Sequence, residues 1–201
     1  EIRMVTGVQT CALPISVTAQ LMFPFQARGS LIERDGLVMG SALIGQHFTR
    51  PEYFHGRPSM TLGADPQDPS KSVSQPYNAG SSGASNLGPT SQKLLDQVAA
   101  RVHAYRQDNG LGADAQVPVD AVTASASGLD PHISLANARL QLPRVARLRQ
   151  IPEAELLQLV DQHTRARTFG LLGEPRVNVL QLNLALDARL PSRQPPIAAS
   201  E

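Results

Sequence analysis

Ser127, Asp130 and His132 stand close together in the chain, and a hydroxyl, a carboxylate and an imidazole are the parts of a nucleophilic hydrolase site. They lie in the run Val122-Thr123-Ala124-Ser125-Ala126-Ser127-Gly128-Leu129-Asp130-Pro131-His132-Ile133-Ser134. The same run also reads as a strand-turn-helix corner. Val117–Thr123 is then a strand, Ser125–Gly128 a small-residue turn, and Pro131 turns Asp130 away from helical geometry. Ser134 caps a helix starting at Leu135. A second candidate is the stretch Tyr77–Gly88, whose successive backbone N–H groups suit an anion or an ordinary surface loop. A third is the basic set Arg139, Arg144, Arg147 and Arg149, with Arg165 and Arg167 beyond it. That set suits lipid headgroups, a nucleotide phosphate or an acidic partner, and equally a solvated helix face.

Other chemistry finds no support. The chain has no G-x-x-x-x-G-K-[ST] cradle, no G-x-G-x-x-G turn and no G-x-S-x-G elbow. His47, His55, His103, His132 and His163 are scattered, and none has a partner four residues away for helical zinc ligation. The single cysteine, Cys11, excludes an internal disulfide and a multi-cysteine zinc site. No metal site and no catalytic residue is therefore assigned. With 18 basic and 17 acidic residues there is no electrostatic case for nucleic acid as a partner.

The elements that must position these residues follow from periodicity. A chain of 201 residues can hold one domain with appendages. Leu31-Ile32 and Leu37–Gln46 read as short strands around Asp35-Gly36. Thr61–Gly88 is a long Gly/Ser-rich loop, of the length that is usually functional or mobile. Ser91–Gln107 carries Leu94, Leu95, Val98, Ala99, Val102 and Tyr105 at helical spacing. Leu135–Gln141 is a short helix, Pro143–Gln150 a second, and Pro152 opens a third with Leu156, Leu157, Leu159 and Val160 inward. Leu180, Leu182, Leu184 and Leu186 alternate with polar or small residues, which predicts a final strand. The fold class is α+β: a small mixed sheet with several helices and a long Gly/Ser-rich loop.

The ends differ from the middle. Val5–Ile15 reads as the in-frame translation of a common sequencing-adapter oligonucleotide, so residues 1–16 are set aside from fold reasoning. Residues 17–27 read as the end of an apolar segment meeting water, with Phe23, Pro24 and Phe25 suited to a membrane interface. No run of 18 uninterrupted apolar residues occurs. Residues 28–190 form the domain proper, and the Pro- and Ala-rich tail 191–201 is expected to be disordered.

Several blocks, in order, carry a resemblance. Ala27–Ile32 comes first, then Gly40–Gln46 with Tyr53–Ser59, which includes Arg57, Pro58 and Ser59. Tyr77-Asn78 and Ser85-Asn86-Leu87 follow, then the corner with Ser127, Gly128, Leu129 and Asp130. Gln141-Leu142-Pro143-Arg144-Val145-Ala146, Gly173–Val179 with Asn178, and Leu182–Asp187 with Asn183 complete the series. Together they resemble the C subunit of the bacterial potassium-transporting P-type ATPase, over about Val17 to Leu190. The resemblance implies an accessory subunit, normally preceded by one transmembrane helix. Its soluble domain would sit on the outer, periplasmic side of the inner membrane. Partners would be the channel-like K+-binding subunit and the P-type ATPase subunit, with the bilayer met through the N-terminal helix. ATP, Mg2+ and K+ would be used by the complex, with no cofactor assigned to this chain. The absence of D-K-T-G-T agrees that this chain is not the phosphorylated subunit. Implied roles are stabilising assembly and raising nucleotide affinity, the latter tied to the position of Gln141. Gln141 reads equally as a helix-junction residue satisfying backbone groups before Pro143. The alternative function is an extracytoplasmic anion- or ligand-binding domain using Gly80–Gly88 and the Arg cluster.

Overall fold

The computed structural model describes residues 14–189. Most of the adapter-like segment and the tail 191–201 therefore lie outside the described residues. The chain divides into two units, Glu1–Leu43 and Ile44–Glu201.

In the first unit, residues 14–22 are helical (α1), followed by the single turn α2, Pro24–Ala27. Leu21, Phe23 and Phe25 are all exposed there. No described helix is long and apolar enough to cross a membrane. An antiparallel hairpin follows, β1 Leu31–Arg34 with β2 Leu37–Ser41. Asp35 and Gly36 both take left-handed backbone, φ 53° and 78°, as a tight two-residue hairpin turn requires. The strand predicted to reach Gln46 stops at Ser41, whose hydroxyl accepts the Leu43 N–H at 3.1 Å and so starts a turn.

The second unit runs β3 Leu62–Ala64, β4 Ser72–Ser74, α3 Gln92–Asn109, α4 Val119–Val122, β5 His132–Ser134 and α5 Leu135–Arg149. It ends with α6 Glu153–Gln162, β6 Thr164–Arg165, β7 Arg176–Asn178 and α7 Val179–Arg189. The α+β class holds. The small mixed sheet does not: among the described residues the strands form three small sheets, β1-β2, β3-β4 and β5-β7-β6, and each of these pairings is antiparallel. The second-unit core packs Ile133, Leu142, Val145, Leu156, Leu159, Val160, Val177, Leu182 and Leu186 around Phe54.

The loop expected over Thr61–Gly88 carries the antiparallel pair β3-β4. Four further sequence expectations change. The strand at Val117–Thr123 is instead the helical turn α4, started by Pro118 and closed by Thr123 N–H to the Val119 carbonyl at 3.0 Å. The final strand is the helix α7. Of its five buried residues, Val179, Leu182, Asn183 and Leu186 fall at i, i+3, i+4 and i+7, a helical stripe beneath the apparent alternation, and Leu180 widens it. The two short helices around Pro143 are one continuous helix, α5. Pro143 cannot donate to the Arg139 carbonyl, but both residues lie on the exposed face, where water can reach that group. Leu157, expected inward, is 37% exposed, because α6 turns Leu156, Leu159 and Val160 to the core instead. Ser134 does cap α5, accepting the Asn137 N–H at 3.1 Å.

Candidate functional site

Residues 54–60 belong to no helix or strand, yet Phe54 is fully buried. Buried backbone without a ladder must find other partners. Here they are side-chain amides. Asn183, on α7, accepts the Phe54 N–H at 3.0 Å and donates to the Phe54 carbonyl at 2.9 Å. Gln141, on α5, accepts the His55 N–H at 2.7 Å and donates to the His55 carbonyl at 3.1 Å. Each amide thus does for one residue what a neighbouring strand would do. Segment 50–59 forms a strap held between two helices.

Charged groups hold the rest of the strap. Arg144 donates to the Pro51 carbonyl, and to Gln141 Oε1 at 2.9 Å. Arg149 donates to the Glu52 carbonyl at 3.1 Å, pairs with Asp187 at 2.8 Å and lies 4.6 Å from the Tyr53 ring centroid. Tyr53 donates its hydroxyl to Asp187 at 2.9 Å. Burial, then the nearby Arg144 charge, holds the His55 pKa below the ordinary imidazole value.

The network continues away from the strap. Gln141 donates to Asn137 Oδ1 at 2.8 Å, and Tyr105 donates to the same oxygen at 2.8 Å. Asn137 Nδ2 donates to Asp120 at 3.1 Å, and Asp120 accepts the Ser134 N–H and hydroxyl, both at 2.8 Å. Asp120, Tyr105, Asn137 and Asp187 were not assigned to a site from sequence. The available signal was that Asn137 and Gln141 are polar at i, i+4 on the buried face of α5.

The Ser127–Asp130 corner receives the far end of the strap. Arg57 pairs with Asp130 at 3.2 Å and donates to the Thr123 and Ala124 carbonyls at 3.4 and 3.3 Å. Ser59 donates to the Gly128 carbonyl at 2.7 Å and accepts the Tyr77 N–H at 3.0 Å. Gly128 has φ +69°, and a Cβ there would lie 2.6 Å from Thr61 Cγ2 and 2.7 Å from the Gly83 carbonyl oxygen. Only glycine fits. Burial pushes the Asp130 carboxyl up, but hydrogen bonds from His132 and the Arg57 charge outweigh it and hold its pKa below the usual carboxylate range. Burial and the Asp130 charge push the Tyr77 hydroxyl up to about 12.

This geometry decides between the readings of the corner. Ser127 Oγ accepts the Leu129 N–H at 3.1 Å, while Asp130 accepts the His132 N–H at 3.0 Å. His132 Nδ1 lies 3.2 Å from Asp130. The hydroxyl and the imidazole each serve a turn and are not paired with each other. The anion reading of the loop fares no better. The amides of Gly80, Ser81 and Gly83 already bond Asn78 Oδ1, the Asn78 carbonyl and the Ser127 carbonyl, at 3.0, 3.0 and 2.9 Å. The Arg set is not one patch. Arg144 and the Arg149 side chain are buried against the strap, Arg139 faces Asp161 at 3.7 Å, and Arg167 pairs with Glu174 at 2.8 Å.

The remaining signature residues take local roles. Asn178 accepts the Gln181 N–H at 3.0 Å and caps α7. Asn86 is exposed, with left-handed backbone at φ 51°. The Leu129 carbonyl accepts the Gly45 N–H at 2.9 Å. Pro58 is half-buried within the strap. All four hydrogen-bonding positions of the Gln141 amide are filled by protein. Among the described residues no group of three or more His, Cys, Asp or Glu is placed to hold a metal.

These features define a class: a small α+β domain whose buried polar groups are spent on holding one of its own segments. Comparison with known proteins makes the class particular. The family model described as "KdpC: K+-transporting ATPase, c chain" matches residues 3–188. A potassium-transporting ATPase KdpC subunit of Rhodopseudomonas palustris (strain BisB18) is 57% identical over 189 residues, covering 93% of this chain and 92% of the relative. The KdpC subunit of Bradyrhizobium diazoefficiens is 55% identical over 186 residues, covering 92% and 91%. That of Methylobacterium nodulans is 54% identical over 188 residues, covering 92% and 90%. The chain belongs to the KdpC family.

Proposed function

We propose that this chain serves as the accessory C subunit of an ATP-driven potassium uptake complex and stabilises the union of the channel-like subunit with the P-type ATPase subunit. It does so without chemistry of its own. The observation that carries this reading is the double amide grip of Gln141 and Asn183 on Phe54 and His55. Polar groups that an enzyme would present to a substrate are here used to hold a rigid surface in shape. Family membership and relatives named as subunits of a potassium-transporting ATPase support it. On this reading the soluble domain stands on the outer face of a bacterial inner membrane. The apolar residues of 17–27 meet the bilayer, as the exposure of Leu21, Met22, Phe23 and Phe25 suits.

One experiment tests both levels of the proposal. The chain is co-expressed with the two large pump subunits, tagged on the ATPase subunit. Co-purification in stoichiometric amount, and loss of complex when the chain is omitted, are expected. A complex that assembles equally well without it overturns the assembly role. Gln141→Ala carries the finer role: if the subunit raises nucleotide affinity through this residue, the assembled complex needs more ATP for half-maximal activity. Unchanged ATP dependence removes Gln141 from that role, consistent with an amide already saturated by protein partners.

A further inference from the structure

The hairpin that joins β6 to β7 exposes three large apolar side chains, Phe169 at 90%, Leu171 at 81% and Leu172 at 65%. Nothing in the core requires them. Phe169 also takes left-handed backbone, φ 54°, which is unfavourable for a bulky residue. An exposed ring held in strained backbone marks a position kept for contact rather than for folding.

Four of the five backbone N–H groups of residues 168–172 bond within the tip. Thr168 N–H bonds the Leu172 carbonyl at 2.8 Å, and Leu172 N–H returns to the Thr168 carbonyl at 3.0 Å. Gly170 and Leu171 N–H bond the Arg167 and Thr168 carbonyls at 3.1 and 3.2 Å. A loop that keeps most of its N–H groups paired enters an apolar medium at a smaller cost in stripped water.

The base of the hairpin supplies the charge. Arg165 and Arg176 are direct cross-strand partners. Like charges so placed repel and destabilise a sheet unless an anion lies between or beside them. Among the described residues neither makes an ion pair, and the one acidic residue of the hairpin, Glu174, is taken by Arg167 at 2.8 Å. An apolar tip ringed by unneutralised arginines matches the interface of an anionic bilayer, where acyl chains lie beneath phosphate.

We propose that the β6–β7 hairpin is a membrane-docking element that seats Phe169, Leu171 and Leu172 among the acyl chains while Arg165 and Arg176 bind anionic lipid headgroups. This rests on the assembly reading only in that a pump subunit has a bilayer within reach.

The chain contains no tryptophan, so Phe169→Trp places a single, selectively excited indole at the tip. The full-length variant is mixed with vesicles of equal parts phosphatidylglycerol and phosphatidylcholine, and with phosphatidylcholine alone. A blue-shifted emission with the anionic vesicles, quenched by brominated acyl chains and weakened by Arg165→Gln with Arg176→Gln, is expected. No shift in vesicles that nonetheless sediment the chain overturns the proposal, since other apolar residues would then account for binding. An equal shift with phosphatidylcholine alone overturns the headgroup role. A shift that appears only on adding the large pump subunits in detergent assigns the tip to a protein partner instead. Co-purification reads the assembly role separately, so either proposal can fail alone.

Discussion

Asn183 and Gln141 show how much one side chain can decide. An amide presents a donor and an acceptor at the spacing of a peptide group, so it can pair with both backbone groups of a facing residue. Asn183→Leu keeps the branched shape but leaves the Phe54 N–H and carbonyl buried and unpaired. The expected loss is about 2–6 kcal/mol, at roughly 1–3 kcal/mol for each orphaned group. Urea unfolding measures it, and Lys93→Ala, at an exposed position of α3, serves as the control with little change expected. A loss for Asn183→Leu no larger than that of the control would refute the grip. Both Gln141 and Asn183 stand out in the sequence within blocks that resemble the family. Phe54 and His55 also lie in such a block, but their pairing with the amides does not show, because they lie 129 and 86 positions away from the amides that hold them.

At the scale of elements, local signals succeeded where one neighbouring residue settles the outcome. Ser134 was legible as a cap, Asp35-Gly36 as the break at which the second strand opens, and Pro152 as a helix opener. They failed where burial decides. The alternating leucines of Leu180–Leu186 have the period of a strand and fold as the helix α7 because the core receives Val179, Leu182, Asn183 and Leu186 on one stripe. Pro143 predicts a helix boundary, yet α5 runs through it because the flanking residues Gln141, Leu142, Arg144, Val145 and Ala146 are all buried. Their packing outweighs a missing hydrogen bond on the wet side. Pro143→Ala restores that donor and is expected to raise the melting temperature, because an interior proline costs about 3 kcal/mol relative to alanine. Thermal unfolding followed by circular dichroism tests it. A lowered melting temperature would show that Pro143 has a packing role the exposed face conceals.

For the molecule as a whole, the strap links stability to pH. His55 is held neutral by burial and by the Arg144 charge, against the opposing attraction of Asp108. Its folded pKa lies below the unfolded value of about 6.5, so its contribution is complete above that pH and is lost as pH falls through the folded value. Asp130 obeys the same sign in a lower window, complete above about 3.9 and lost in stronger acid. Melting temperatures across pH 7 to 5 should therefore fall for the native chain and fall less for His55→Gln. Parallel curves for the two would remove His55 from the linkage. The sequence by itself determined the α+β class, the family, the caps and turns, and the absence of the common catalytic motifs, since these depend on residue type and near-neighbour spacing. The tertiary structure alone decided that Ser127, Asp130 and His132 form a turn, that Arg144 and Arg149 face inward, and that two amides hold the strap. Those outcomes rest on contacts between residues far apart in the chain, where burial makes every unpaired polar group costly and so selects its partner.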